Sequence, residues 1–353
     1  MAGSRNSTVV AGAARDPKVR AAVASAAVAA GGAVAAGKLV RGRIVERSES
    51  RRRQSYRLQT EQPVAEGMRR IARGQIDLAV ELLENADDGE LDEAIHESRK
   101  AFKRVRALVR VARDGLGDET YRRENETFRD AGRALSSVRD ARVMVDTLED
   151  LTSRYGEEIP DGGFGGLHDT MRAEAQAAHA QIANDPAAVR DVLLTLRAAR
   201  TRVESWPLPD SGDLRSLAPG FERIYRRGRR AQRTAADEAS TEAMHELRKR
   251  AKDLWHAAQV LRPAGPKPMK KLARRAHSLS DVAGEDHDLA VLLDGARGRA
   301  HTLRPGELAQ LDALIARRRE ALQQDAFARG RRVYGRKPRK LARQITAATL
   351  SRG

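Results

Sequence analysis

The chain has 353 residues, with 66 Lys or Arg against 49 Asp or Glu, for a formal net charge of +17. It has no cysteine, which excludes a disulfide framework, a thiolate nucleophile and any Cys-based zinc or iron–sulfur centre. Charged residues make up 33% and are interspersed with regular apolar positions, so most of the chain is expected to bury a core, while the positive excess calls for a polyanionic partner such as nucleic acid, an acidic membrane or a phosphate polymer.

The stretch from Met1 to Arg20 is small and polar. Ala21 to Gly37 carries no charge and is built mostly of Ala, Gly and Val. It is short for a membrane span and poor in strongly inserting side chains, so it reads first as an alanine-rich helix. Contact of residues 21–37 with a membrane or particle surface is the alternative, supported by flanking Lys18, Arg20, Lys38, Arg41 and Arg43. Residues 1–55 are expected to form a partly disordered N-terminal segment, ending in the basic run Arg51 to Arg53.

From about Gln62 the chain reads as helix almost throughout. Runs of helix formers alternate with breakers at Asn85–Gly89, Gly115–Asp118, Gly156–Gly166, Asn184–Pro186, Trp206–Gly212, Arg262–Pro266 and Leu303–Gly306. No segment alternates with period two for long enough to suggest a strand. The expected fold is all-α: roughly ten helices of about 15–25 residues with short loops, the pattern of antiparallel helical bundles. A first bundle is expected over 56–207 and a second over 208–328. From Arg329 to Arg343 there are eight basic residues and no acid, so 329–353 is expected to stand apart from the body as a basic C-terminal segment.

An internal repeat is the most informative feature. His96-Glu-Ser-Arg-Lys100 recurs 149 residues later as His245-Glu-Leu-Arg-Lys249; Glu93 and Lys103 recur as Glu242 and Lys252. Leu135-Ser-Ser-Val138 recurs as Leu279-Ser-Asp-Val282. Arg139-Asp140 then corresponds to His287-Asp288.

In the first copy His96, Arg99, Lys103, Arg106, Arg110 and Arg113 are spaced 3, 4, 3, 4, 3 and fall on one helix face, within an arc of about 100° at about 100° per residue. Ala94, Phe102, Val105, Val109 and Ala112 form a separate apolar face, with Ile95 at the border. The second copy gives His245, Arg248, Lys252, Trp255, Gln259 and Arg262, cationic at its start and aromatic or polar later. Lys100 and Lys249 border the stripes. A solvated face usually mixes signs at i and i+4. The first stripe holds no acid, so it repels itself and needs an anion. Arg223, Arg226, Arg227, Arg230 and Arg233, at helical intervals upstream of the second copy, add to the field, as do Arg139 and Arg142. Arginine suits this role because its planar fork can donate two hydrogen bonds to one phosphate.

Glu93-x-x-His96 and Glu242-x-x-His245 have the spacing that di-iron bundles use, but a cationic stripe beside them opposes a metal. The glutamates read as first-turn acids that favour the helix dipole. The histidines read as phosphate hydrogen-bond donors, neutral or charged. Glu285-Asp-His-Asp288 reads mainly as a helix N-terminus, with Asp288 pairing with the neighbouring basic helix.

A duplicated basic helix opening with His-x-x-Arg-Lys, followed by Leu-x-x-Val and then Arg-Asp or His-Asp, resembles the conserved histidine α-helical domain (CHAD) family over roughly Gln62 to Ala348. The resemblance implies two helical bundles related by pseudo-twofold symmetry around a basic central cavity. It also implies binding of inorganic polyphosphate and, in bacteria, association with cytoplasmic polyphosphate granules, which gives the 21–37 segment a granule surface as a second possible target. By motif the binding positions are His96, Arg99, Lys100 and Lys103 with His245, Arg248, Lys249 and Lys252, joined by Arg226 and Arg227 in a Tyr-Arg-Arg-Gly-Arg stretch. Trp255 and His256 depart from the usual pattern. No alternating Glu-x-Glu-x-Lys strand is present, so the hydrolytic route of triphosphate tunnel domains is not implied, and neither is a cofactor or metal. The expected function is non-catalytic polyphosphate binding. The alternatives are sequence-independent, weaker nucleic-acid binding, which phosphate contacts alone can supply, and an enzyme acting on phosphate polymers. Scarce aromatics count against the first and the lack of a Walker-type loop against the second.

Overall fold

In the computed structural model the described residues are 56–343, apart from 60–61, 88, 160–162, 185–186, 210–212 and the side chains of 137–139. The uncharged 21–37 segment therefore lies outside the described residues. Among the described residues there are no strands, and ten α-helices of 18 to 33 residues carry the fold. They are α1 (Val64–Asn85), α2 (Leu91–Val111), α3 (Arg113–Ala134), α4 (Ser136–Arg154), α5 (Gly165–Asn184), α6 (Ala187–Glu204), α7 (Ala218–Glu238), α8 (Thr241–Val260), α9 (Pro266–Gly298) and α10 (Glu307–Tyr334). The all-α expectation holds.

The breakers locate the ends well. Ser240 caps α8, its hydroxyl accepting from the Ala243 amide at 3.2 Å, as expected of a serine before an Ala-rich run. Ala239, just before it, closes α7 in the left-handed region at φ 48°. The Gly115–Asp118 break is milder than expected: α3 runs through it with a single non-helical residue, Gly117, at φ 73°.

The apolar packing does not divide at 207/208. One core gathers Met68, Ile76, Phe102, Leu108, Phe128, Leu196 and Trp206 from the first half with Phe221, Tyr225, Leu254, Met269, Leu279 and Tyr334 from the second. A smaller core joins Leu148, Leu151, Leu167 and Met171 of α4 and α5 to Leu292, Leu293, Leu311 and Ile315 of α9 and α10. The halves are interleaved because α9 is 33 residues long, about 50 Å at about 1.5 Å per residue. It leaves one core at Ala283 and enters the other at Leu289, and α10 returns alongside it.

The segment from 329 does not stand apart as expected. Helix α10 continues to Tyr334, and Val333, Tyr334, Leu341 and Ala342 are buried. Tyr225 donates its hydroxyl to the Val333 carbonyl at 3.0 Å. The basic residues of this stretch masked an apolar set that recurs only every several positions. Among the described residues no helix is long and apolar enough to cross a membrane.

Candidate functional site

Both repeated motifs lie on central helices. Helix α2 buries Ala94, Ile95, Ser98, Ala101, Phe102, Val105, Leu108 and Val109, more of its circumference than the expected apolar face, because α1, α3, α7 and α8 all pack on it. Helix α8 likewise buries Ala243, Met244, Leu247, Ala251, Leu254 and Ala258. The two motif helices pack directly on one another. Each stripe is thus the open remainder of a helix otherwise enclosed in protein.

Where the helices face each other, the cations of the two copies converge. Lys103 is exposed to water, yet it stands in a recess. Desolvation there, followed by Lys252, Arg99 and Arg248, pushes its ammonium down to about 7 against the opposing pull of Asp140. Lys252 is half-buried and is also shifted down, by burial first and Arg248 next, against Asp281 and Asp288. Because Lys103 keeps access to solvent, the crowding of like charges is the feature that matters most for ligand binding. Among the described residues neither lysine has a carboxylate within ion-pair distance.

The two arginines of the motif are held by acids that repeat with them. Arg99 donates to the Gly132 carbonyl at 2.6 Å and stands 3.7 Å from Asp140; Arg248 donates to Asp288 at 2.9 Å. This is the pairing expected for Asp288. Glu285 to Asp288 do not begin a helix, however. They lie in the middle of α9, directly after Gly284, which faces the Arg248 guanidinium.

His245 is half-buried, and its ring lies 4.0 Å from that of His287 at an interplanar angle of 34°. The Nδ1 atom of each is buried without a hydrogen-bond partner among the described residues. Burial, then His287, Lys249 and Arg248, push His245 down to about 4. Of the two forms expected, the neutral one is present near pH 7. His96 is half-buried one turn before Arg99.

The later part of the first stripe is not free. Arg110 pairs with Asp253 of α8 at 2.8 Å, and Asp253 also binds Arg250 at 2.7 Å. Arg106 donates to Asn125 at 3.2 Å, and burial, then Arg110, push its guanidinium down to about 10. Arg113 pairs with Asp118 at 2.9 Å and lies 4.7 Å from the Tyr121 ring centre. The sequence signal for this was in the repeat itself: at an offset of 149, Asp253 stands where the first copy has Arg104.

The remaining candidates divide. Arg223 pairs with Asp114 at 2.8 Å and lines a small recess with Arg110 and Arg227. Arg226 pairs with Glu222 at 2.6 Å, while Arg227 and Arg230 are exposed along α7. Lys100 bonds Glu97 and Lys249 is exposed. Arg142 is paired with Asp146 at 2.8 Å on the surface of α4, and the Arg139 side chain lies outside the described residues.

Beside the crossing opens a cleft of about 830 Å³, walled by α4, α8, α9 and α10, to which Arg248 and Lys252 both belong. It is of mixed sign rather than basic, with four cations and four carboxylates in its lining. Arg154 and Arg318 were not among the sequence candidates. Arg154 reaches this place because α4, from the first half, packs on α9 of the second, and Arg318 because α10 runs back alongside α9.

Residues 70–297, more than half of the chain, match the CHAD domain. The chain is also similar to an uncharacterized protein of Mycobacterium tuberculosis, at 25% identity over 211 residues that span 56% of this chain and 39% of the relative. The matched region contains both copies of the motif, Asp140 and Asp288, and the helices α2 to α9 that bring them together; the chain belongs to the CHAD-domain family.

Proposed function

We propose that this chain binds inorganic polyphosphate, without cleaving it, at the crossing of α2 and α8. The observation that supports this reading is the approach of Lys103 to Lys252, two ammonium groups from the two copies of one motif, with no acid among the described residues paired to either and with Arg99 and Arg248 beside them. Such a cluster is relieved by an anion that brings several charges on a narrow backbone. A linear phosphate chain does so without bases to accommodate. Duplex DNA is too wide to enter between two packed helices, although Arg227 and Arg230 on α7 offer it an outer surface. The companion proposals are association with cytoplasmic polyphosphate granules and contact of residues 21–37 with the granule or a membrane.

The deciding measurement is a titration of the full chain with long-chain polyphosphate over a range of salt, with duplex DNA as competitor at matched phosphate. Tight binding with a log–log salt slope of several units is expected, with no orthophosphate released on prolonged incubation. Duplex DNA that competed equally per phosphate would favour the nucleic-acid reading instead.

A further inference from the structure

The mixed-sign cleft beside the crossing is a poor place for a polymer of phosphates alone. Such a polymer offers only acceptors, and Asp150 and Asp281 in the lining would repel it. Asp150 is exposed, with no ion pair among the described residues, and Asp281 bonds only His277. The lining also includes Arg248, which bonds Asp288, and Lys252, with Leu151 and Leu289 among its apolar residues. Ser280 completes the set. The residue is 2% exposed and lines the cleft, and its buried hydroxyl has no hydrogen-bond partner among the described residues. A buried hydroxyl left without a partner is costly, which makes it a marker for a ligand atom.

We infer that this cleft binds a phosphorylated sugar, free or as part of a nucleotide. The phosphate meets Lys252 and Arg248 and accepts from the Ser280 hydroxyl, while sugar hydroxyls donate to Asp150 and Asp281. The volume is within the range of small-molecule sites. The cleft shares Lys252 and Arg248 with the proposed polymer site, and its preference for a sugar phosphate rests on the carboxylates and the serine, which that site does not use.

The test is calorimetric titration of the full chain with ATP, ribose 5-phosphate and tripolyphosphate at equal ionic strength, for the parent, Asp150→Ala/Asp281→Ala and Ser280→Ala, with thermal melts as the folding control. In the parent, ATP or ribose 5-phosphate should bind more tightly than tripolyphosphate; which of the two does so tells a nucleotide from a free sugar phosphate. The double variant removes two exposed acids, so it should fold. It should weaken ATP and ribose 5-phosphate about tenfold while tightening tripolyphosphate. Ser280→Ala should weaken all three. If all three ligands tighten on loss of the acids, or if tripolyphosphate binds the parent best, the proposal is wrong. Either result leaves long-chain polyphosphate binding to be judged by its own titration.

Discussion

At Lys103 a single ammonium links the fold to the ligand. Its value in the folded chain is about 7, against 10.5 for an ordinary lysine. Between those values the unfolded chain binds more protons than the folded one, so this group makes stability rise as pH rises through that window. A polyanion reverses the preference by favouring the charged form. Polyphosphate binding at pH 8 should therefore take up protons at Lys103, by a fraction of a proton per site. Calorimetry in two buffers of different ionisation heat would show this as a buffer-dependent enthalpy. Lys103→Arg, which keeps the charge at all relevant pH, should bind well and lose most of that dependence. An uptake unchanged in Lys103→Arg would move its origin elsewhere. His245 works in the same direction at lower pH. Its value falls from 6.5 to about 4, so the unfolded chain binds more protons between these values, and acidification through this range costs stability. His245→Asn should flatten the fall of Tm between pH 6.5 and 4. At this scale the sequence revealed which residue types form the site but not which charges are spent. The stripe of Arg99, Lys103, Arg106 and Arg110 is uniform in the alphabet. Partners from other helices, Asp253 above all, neutralise its far end and leave Lys103 without one among the described residues.

The packing of the elements decides which part of each stripe is usable. Helix α7 meets the end of α2 so closely that a methyl group on Gly220 would collide with the carbonyl oxygen of Val111. This approach carries Arg223 to Asp114 and Arg227 to the recess beside Arg110. Gly220→Ala should destabilise the chain by about 1–3 kcal/mol through overpacking, read as a lower urea midpoint. Polyphosphate affinity at the Lys103 crossing should change little, since the strain falls at the C-terminal end of α2, eight residues beyond Lys103. The Arg110–Asp253 pair fastens the two motif helices with both side chains mostly buried. Asp253→Ala leaves Arg110 and Arg106 crowded without an acid, while Arg250 keeps Glu246, and a loss of up to about 3 kcal/mol is expected, again from denaturant melts. The helices themselves were legible from spacing and breakers, because an amphipathic period and a capping serine are local signals. The mid-helix position of Glu285 to Asp288 was not. An acidic cluster reads as a helix start unless the long-range pairing of Asp288 with Arg248 is known.

Over the whole molecule, the sequence repeat and the apolar packing follow different divisions. The motif recurs once per half, but each core draws on both halves, since α9 and α10 run through the two cores in opposite directions. Long-range packing of this kind leaves no mark in local periodicity, which is why a boundary at 207/208 and a detached segment from 329 were natural readings of the sequence. The arrangement has a functional consequence. Lys103 and Lys252 meet because the halves interlock, so the site cannot survive separation of the halves. The end of α10 is the sharpest test of this interlocking. Tyr334 is 3% exposed, its ring lies 5.4 Å from that of Tyr225, and it packs against Gly228 of α7. Val333 beside it accepts the Tyr225 hydroxyl. Tyr334→Ala should cost about 3–5 kcal/mol, as loss of a buried aromatic does. Ending the chain at Ala328 removes Val333, Tyr334, Leu341 and Ala342 from the core together, at about 1.5–3 kcal/mol for each large buried side chain. That chain should lose its cooperative melt, and polyphosphate binding with it, although every motif residue is still present. A truncated chain that melted cooperatively and bound normally would show that the basic C-terminal stretch is an appendage after all.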